Sequence, residues 1–267
     1  MAVPTDDTAA SVEPTRLVVT GATGRMGEAL LDAADDREDV LVVAAVTRRP
    51  GHVTAEAAVG PHLDATLAAE EDIDCVVDFT APEATAEYAD VCADCGVPFV
   101  TGTTGLADHE AAPLAALDAA SETIPVLHAS NFSRGVAALR RAIREAAASL
   151  AGYDVEVTET HHNGKQDAPS GTALTLIEDI EAERPDLTER QHGREGERAR
   201  DDAEIGVHTR RAGDVTGEHE VLFAGNHETL SLSHRAGDRG VFAAGALDAA
   251  TELAGREPGR YAFTDLL

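Results

Sequence analysis

Lysine is almost missing from this chain, and large aromatic residues are scarce. Only Lys165 is a lysine among 21 lysines and arginines, tryptophan is absent, and aromatic residues make up 3% of the chain. Aspartate and glutamate number 49, which leaves a formal net charge of -28. Such a charge would repel phosphates, so no nucleic-acid partner is expected. An acid excess with so little lysine indicates adaptation to concentrated salt, where the screening length is only ~3 Å at 1 M.

Long hydrophobic runs are missing too. No stretch approaches the length of a membrane span, so no membrane partner is expected. The polar, acidic beginning lacks the features of a signal peptide, and we expect residues 1–15 to be a disordered tail. The 3 cysteines suit a reducing compartment, which predicts a cytoplasmic location. Cys92 and Cys95 form a CxxC pair on a predicted helix, where a small apolar face is favoured over a redox or metal pair.

A glycine-rich turn follows the first apolar run. Residues 16–20 predict a strand, a Gly-x-x-Gly-x-x-Gly pattern spans 21–27, and an alanine-rich helix pattern continues to about Ala34. In this context the glycines let the backbone approach a pyrophosphate, which binds at the start of the helix. The alternative is a tight structural turn. The predicted dinucleotide contacts here are Gly21, Ala22, Thr23, Gly24, Arg25 and Met26.

The second predicted strand, 40–46, bears on the choice of cofactor. It ends in Thr47, Arg48 and Arg49. NAD-specific sites place a carboxylate near this point for the ribose 2′-OH, whereas an arginine can accept the 2′-phosphate of NADP. The pattern therefore favours NADPH over NADH, with Arg48 as a contact. The alternative is a solvated basic pair on a loop.

Further strand and helix units follow up to residue 132. Strands are predicted at 74–80, 98–101 and 124–127, and a helix at 82–95. This alternation predicts a Rossmann-type, doubly wound parallel sheet over 16–132, whose ligands bind at the carboxyl ends of its strands. Two loops at such ends complete the predicted cofactor site: Gly102, Thr103 and Thr104, and Ala129, Ser130, Asn131 and Phe132.

The pattern changes in the segment 133–237. After a helix at 135–150 and a strand at 154–160, three alternating runs predict an antiparallel or mixed sheet, and so a second, α+β domain. The charged stretch 185–202 is predicted to be a mobile surface loop. A final helix at 239–254 is expected to carry residues 238–267 back to the first domain.

The stretch 159–173 carries the strongest chemical signal. It places the sole lysine, Lys165, after His161 and His162. Lysine can give up a proton where arginine cannot, and histidine titrates near neutrality, so this loop can supply proton donors. Residues 169–172 predict a helix start, which binds anions. The alternatives are a solvated histidine loop and a simple helix cap. No metal is predicted, because adjacent histidines diverge and no zinc-type spacing accompanies them.

These motifs together resemble the dihydrodipicolinate reductase family of the diaminopimelate route to lysine. The resemblance covers nearly all of the chain after Arg16. It is carried by the motifs at 21–27, 102–105, 130–133, 159–173 and 211–219. The chain departs from the family at Thr47, where an acid is common.

The resemblance implies an NAD(P)H-dependent reduction of a cyclic dicarboxylate, 4-hydroxy-tetrahydrodipicolinate. It implies catalytic roles for His161 and Lys165, with a substrate carboxylate held by His162, Ser170, Gly171 and Thr172. It also implies a homotetramer, with 133–237 as the substrate-binding and oligomerisation domain. The competing hypotheses are a Rossmann reductase of another small acid and a module that senses NADPH without catalysis.

Overall fold

A computed structural model describes residues 13–49, 53, 57–106 and 112–266 of the chain. Two compact units are present. The first comprises the described residues up to Leu127 together with Leu247–Tyr261, and the second His128–Ala246 together with the described residues from Ala262 onward. The functional domain limits 16–132, 133–237 and 238–267 stay a prediction. Of the predicted tail, residues 1–12 lie outside the described residues.

The elements follow one another in this order. From residue 15 to residue 128 the chain forms β1 (Thr15–Thr20), α1 (Arg25–Asp35), β2 (Val40–Val46), β3 (Ala58–Gly60), α2 (Leu63–Ala69), β4 (Cys75–Asp78), α3 (Pro82–Cys95), β5 (Phe99–Thr101), α4 (Ala112–Ala120) and β6 (Pro125–His128). From residue 134 to residue 266 the chain forms α5 (Arg134–Ser149), β7 (Asp154–His161), α6 (Gly171–Glu183), β8 (Glu189–His192), β9 (Glu204–Arg211), β10 (Gly217–Ala224), β11 (Thr229–Ala236), α7 (Gly240–Leu253), β12 (Gly259–Tyr261) and a 3₁₀ helix (Phe263–Leu266).

The first unit is built on a seven-stranded sheet in the order β12-β6-β5-β4-β1-β2-β3. The pairs β1–β2, β1–β4, β2–β3, β4–β5 and β6–β12 are parallel. The chain leaves β1 towards β3 and then returns to the other side of β1 with β4. This confirms the predicted Rossmann-type fold and puts the topological switch point between β1 and β4. The predicted strand 74–80 is shorter, because β4 ends at Asp78.

The second unit packs α5 and α6 on a mixed sheet. The strand order is β11-β10-β7-β9-β8. Strand β10 runs antiparallel to β7 and β11, while β9 runs parallel to β7 and β8. Alternate strand residues and the two helices share one apolar core, which contains Val155, Val157, Ile205, Val207, Val221, Phe223, Ile143, Leu176, Ile177 and Ile180. The predicted α+β unit with a mixed sheet is confirmed.

The stretch 185–202 was predicted to be a loop along its whole length, and the structure differs from that prediction. It contains β8, which pairs with β9. The side chain of Glu204 is fully buried and forms ion pairs with Arg194 and with Arg198. The loop prediction was wrong for Glu189–His192, and part of the charge in this stretch neutralises a buried carboxylate instead of facing water.

Helix α7 confirms the helix predicted at 239–254. Its residues from Leu247 onward belong to the first unit, where Asp248 accepts a hydrogen bond of 2.6 Å from Arg37. No helix in the described part of the chain is long and apolar enough to cross a bilayer.

Candidate active site

The turn after β1 has the tight, glycine-dependent backbone expected of a pyrophosphate-binding turn. Gly21 has a φ of +72°, and a Cβ there would lie 2.6 Å from the carbonyl oxygen of Phe79. A Cβ on Gly27 would lie 2.2 Å from the carbonyl oxygen of Gly21, so both positions require glycine. Gly24 caps α1 without a side-chain acceptor. The first N–H groups of α1 are therefore available to phosphate oxygens.

A cleft of about 730 Å³ adjoins this turn. Four of the predicted cofactor contacts line it: Gly21, Thr23, Gly24 and Arg48. Ala22 is buried, and Arg25 and Met26 lie in the first turn of α1 outside the lining. Thr47, where the resemblance led us to expect an acid, has its hydroxyl 2.8 Å from that of Thr23 and accepts 3.2 Å from the N–H of Arg49. No carboxylate occupies position 47, so a 2′-phosphate would meet no charge repulsion there.

The loop after β5 lies against the loop after β4. A Cβ on Gly102 would lie 2.0 Å from the ring of Phe79, so a larger residue would have to displace that ring. Thr103 is buried, and its hydroxyl accepts 3.1 Å from the N–H of Thr80. Thr104 is exposed. Of these predicted cofactor contacts, Gly102 and Thr103 are thus fixed by packing and hydrogen bonds.

The predicted cofactor loop 129–132 belongs to the second unit. Ala129, Ser130 and Asn131 line a cavity of about 270 Å³ together with Thr172. The side-chain amide of Asn131 donates 3.0 Å to the hydroxyl of Thr172. Phe132 is buried, with its ring centroid 5.2 Å from that of Phe263. This loop is thereby tied to the start of α6, where the substrate carboxylate was predicted to bind.

His161 ends β7 and is oriented by Glu159. Its Nδ1 lies 2.6 Å from Glu159 Oε2, and Glu159 is 1% exposed. Burial alone would raise the pKa of Glu159, but hydrogen bonds from Arg211 and His161 hold it below its usual value. Burial lowers the pKa of His161, while the hydrogen bond to Glu159 opposes that change. With an ionised acceptor at Nδ1, His161 carries hydrogen on Nδ1 and presents Nε2 for proton transfer.

Arg211 completes this buried ion pair. Its Nη1 and Nη2 atoms each donate 2.8 Å to one oxygen of Glu159. Glu159 Oε1 also accepts 3.1 Å from the N–H of Ser170. A bidentate arginine fixes the plane of a carboxylate, and with it the direction of the bond to His161.

Lys165 lies on the loop between β7 and α6. Its side chain is 23% exposed, and Nζ is 2.8 Å from Asp167 Oδ1. The N–H of Lys165 donates 3.1 Å to the carbonyl oxygen of His162, which closes a tight turn. His162 is half-buried, and its Nδ1 would lie 3.4 Å from a Cβ placed on Gly164. The amine is therefore partly sheltered from solvent and not extended into it.

Ser170 caps α6 and contacts a second buried histidine. Its hydroxyl accepts 3.2 Å from the N–H of Ala173 and lies 3.0 Å from His219 Nε2. Burial lowers the pKa of His219 to about 4, so this histidine is neutral near pH 7. Its ring meets that of His161 edge to face at 5.2 Å. Within the described part of the chain, the N–H groups of Gly171 and Thr172 at the start of α6 have no acceptor, so they can bind an anion.

Sequence reasoning gave no role to Glu159, Arg211 or His219. Glu159 and His161 are two residues apart on a strand and so face the same side, a signal that could have linked them. Arg211 and His219 lie in β9 and β10, on either side of β7. Their proximity depends on strand register, which sequence spacing does not show.

Comparisons with known proteins bear on this arrangement. Family models described as dihydrodipicolinate reductase, N-terminus, and dihydrodipicolinate reductase, C-terminus, match residues 15–132 and 135–267. A 4-hydroxy-tetrahydrodipicolinate reductase of Haloarcula marismortui is 52% identical over 95% of this chain and 99% of its own length. The chain belongs to the dihydrodipicolinate reductase family. A second relative with the same name, from Natronomonas pharaonis, is 51% identical over 93% of this chain and 98% of its own.

A solved structure agrees with this family membership at the level of the fold. A dipicolinate-bound dihydrodipicolinate reductase from Paenisporosarcina sp. TG-14 has a TM-score of 0.75 and 24% identity. The match covers 95% of this chain and all of that one. The two-unit architecture described above is therefore that of a dihydrodipicolinate reductase.

Proposed function

We propose that this chain reduces 4-hydroxy-tetrahydrodipicolinate to tetrahydrodipicolinate with NAD(P)H, in the diaminopimelate route to lysine. The buried Glu159–His161 pair beside the start of α6 carries the proposal, since it joins a proton-transfer group to an anion site. Membership of the dihydrodipicolinate reductase family supports the same reaction. A bound nicotinamide nucleotide supplies the hydride.

His161 transfers the proton at Nε2. Because Glu159 holds Nδ1, the imidazole keeps one tautomer and one orientation. Gly217 leaves room at the reacting nitrogen, since a Cβ there would lie 3.1 Å from Nε2. Lys165 is the second donor, and its partner Asp167 holds the amine in place. Lysine suits this role because, unlike arginine, it can release its proton.

The start of α6 holds a carboxylate of the substrate. The N–H groups of Gly171 and Thr172 and the positive end of the helix dipole favour an anion. Ser170 and His162 complete this substrate site. Its donors are fixed before binding, because Ser170 is bonded to Glu159 and Asn131 to Thr172. Binding therefore needs little reorganisation.

We propose that NADPH is preferred over NADH. Arg48 and Arg49 are exposed at the edge of the cleft, and Thr47 brings no negative charge. An arginine can bind a 2′-phosphate through charge-assisted hydrogen bonds. The cofactor contacts predicted in the first unit would hold the remainder of the nucleotide.

We also propose a cytoplasmic homotetramer. Its contact surface would be the face of the mixed sheet opposite α5 and α6, which does not carry the apolar core. A reducing compartment is supported by the cysteines, which are free thiols at Cys75, Cys92 and Cys95. Light scattering in molar KCl tests the assembly: a mass near four chains supports it, and a monomer contradicts it.

Lys165→Ala tests the proposed reaction. We expect turnover to fall at least about 10²-fold with unchanged NADPH affinity, because a positioned proton donor contributes about 10²- to 10⁴-fold. Lys165→Arg is the matched control for charge, since it keeps the cation but cannot release the proton, and it should lose as much turnover. The assay follows NADPH oxidation at high salt, with substrate made in place by the preceding synthase.

The outcomes separate the candidate functions. Wild-type turnover that survives both substitutions contradicts the role of Lys165. A wild-type chain that binds NADPH and turns over no substrate would be a sensing module. Turnover of a different small acid in preference to this ring would make it another Rossmann reductase.

A further inference from the structure

Asp78 is a buried carboxylate at the carboxyl end of a central strand of the first unit. It is the last residue of β4 and is fully buried. In the sheet it stands in register with Thr20, the last residue of β1, and with Thr101, the last residue of β5. Asp78 therefore lies at the switch point, where doubly wound sheets bind their ligands.

Threonine hydroxyls surround the Asp78 carboxylate. Five of them lie within 2.6 to 2.9 Å: Thr20 and Thr80 at Oδ1, and Thr85, Thr101 and Thr103 at Oδ2. No salt bridge to Asp78 is present among the described residues. A buried carboxylate without a cation is costly unless its oxygens accept several hydrogen bonds.

The five hydroxyls are about one more than a carboxylate can accept from at once. Two carboxylate oxygens offer about four lone-pair sites. The hydroxyl of Thr85 also lies 2.8 Å from that of Thr103, so its single proton can turn to either partner. Four hydroxyls can therefore satisfy the carboxylate without a cation, while the fifth, that of Thr85, can donate to Thr103 instead.

The same hydroxyls fix the backbone of the loops. Thr103 accepts 3.1 Å from the N–H of Thr80, and Thr101 accepts 3.2 Å from the N–H of Thr103. Thr20 immediately precedes the glycine turn that begins at Gly21. The loops after β1, β4 and β5 are far apart in sequence, but all three are held in position by hydrogen bonds that lead to the Asp78 carboxylate.

We infer that Asp78 is a positioning residue for the nicotinamide nucleotide. It holds three loops at the switch point in the arrangement that the nucleotide needs, without itself reacting. The inference rests on the proposed function, because it assigns the cleft of the first unit to that nucleotide. The helix bearing Thr85, α3, is included in the same network and couples its position to the loops.

The test measures NADPH affinity directly, by fluorescence titration at high salt. Asp78→Asn keeps the shape but replaces one acceptor oxygen by a donor, and we expect its Kd for NADPH to rise about tenfold or more. Thr85→Val removes one hydroxyl from the cluster, and its Kd should rise about threefold or more. Thr251→Val is the matched control, because among the described residues that hydroxyl bonds only to the carbonyl oxygen of Leu247 in its own helix. Its Kd should not change.

A merely structural role predicts a different result. Asp78→Asn and Thr85→Val would then lower the unfolding temperature without changing Kd or KM for NADPH, and that outcome overturns the inference. Thr85→Val keeps the test usable if Asp78→Asn does not fold. A wild-type chain that fails to bind NADPH or NADH contradicts the proposed function itself, which distinguishes that failure from failure of the positioning role.

Discussion

Glu159→Gln is the substitution that examines the candidate active site most directly. The wild-type carboxylate faces four donors, two from Arg211, one from the N–H of Ser170 and one from His161. Glutamine keeps the size but offers a single acceptor oxygen and introduces two donors of its own. At least two of the four donors therefore lose their partner.

The expected magnitudes follow from these contacts. A lost hydrogen bond to a charged group costs about 1.5 to 3 kcal/mol, and Arg211 is only partly screened because its side chain is 18% exposed. We expect the free energy of unfolding to fall by about 2 to 4 kcal/mol. Turnover should fall about 10²-fold or more, because His161 loses the partner that fixes its orientation and tautomer.

The pH dependence gives the sharper measurement. Glu159 is one of the influences that raise the pKa of His161, against burial, which lowers it. Without Glu159 the pKa falls further, so His161 loses its proton at a lower pH, and the limb of the rate profile assigned to it should move towards acid. We would measure turnover against pH at fixed high salt. A Gln variant with wild-type turnover and an unmoved limb would refute the role given to Glu159.

Three further predictions concern other parts of the molecule. Arg48→Ala should weaken NADPH binding about tenfold and leave NADH binding nearly unchanged, as measured by titration with both nucleotides; equal losses would contradict a 2′-phosphate contact. His219 has a folded pKa of about 4 and an ordinary value of 6.5, so protonation favours the unfolded chain. Its contribution to stability should be full above about pH 6.5 and lost as pH falls towards 4, and His219→Gln should flatten denaturant-derived unfolding free energies over that range. The melting temperature should rise between dilute and molar KCl, because screening relieves repulsion among carboxylates; an unchanged value would contradict salt adaptation.

The fold was predictable where local pattern decides it. The apolar run of β2, the Pro82 start of α3 and the glycine turn at Gly21 each carry their own signal, and each lies where it was predicted. Short edge elements such as β3 and β12 were missed, because three residues carry no periodicity. Strand β8 was missed since its charged residues find partners only in the folded sheet.

The sequence predicted several residues of the candidate site but not the contacts between them. His161, Lys165 and Ser170 attracted notice because of their chemistry and their setting in one loop. The orienting carboxylate of Glu159 required only strand alternation, but its arginine depends on the pairing of β7 with β9. Asp78 gave no signal, because its five partners come from separate segments and threonine alone suggests no function.

The single lysine, Lys165, allows the protein to be labelled selectively at one side chain. Amine-directed reagents meet a single side chain in the whole sequence, besides the chain terminus. Its pairing with Asp167 and its modest accessibility should slow that reaction, and a bound dicarboxylate should slow it more. Mass spectrometry of the Lys165 adduct would then report the fraction of substrate sites that are occupied, with no mutagenesis and no radioactive ligand.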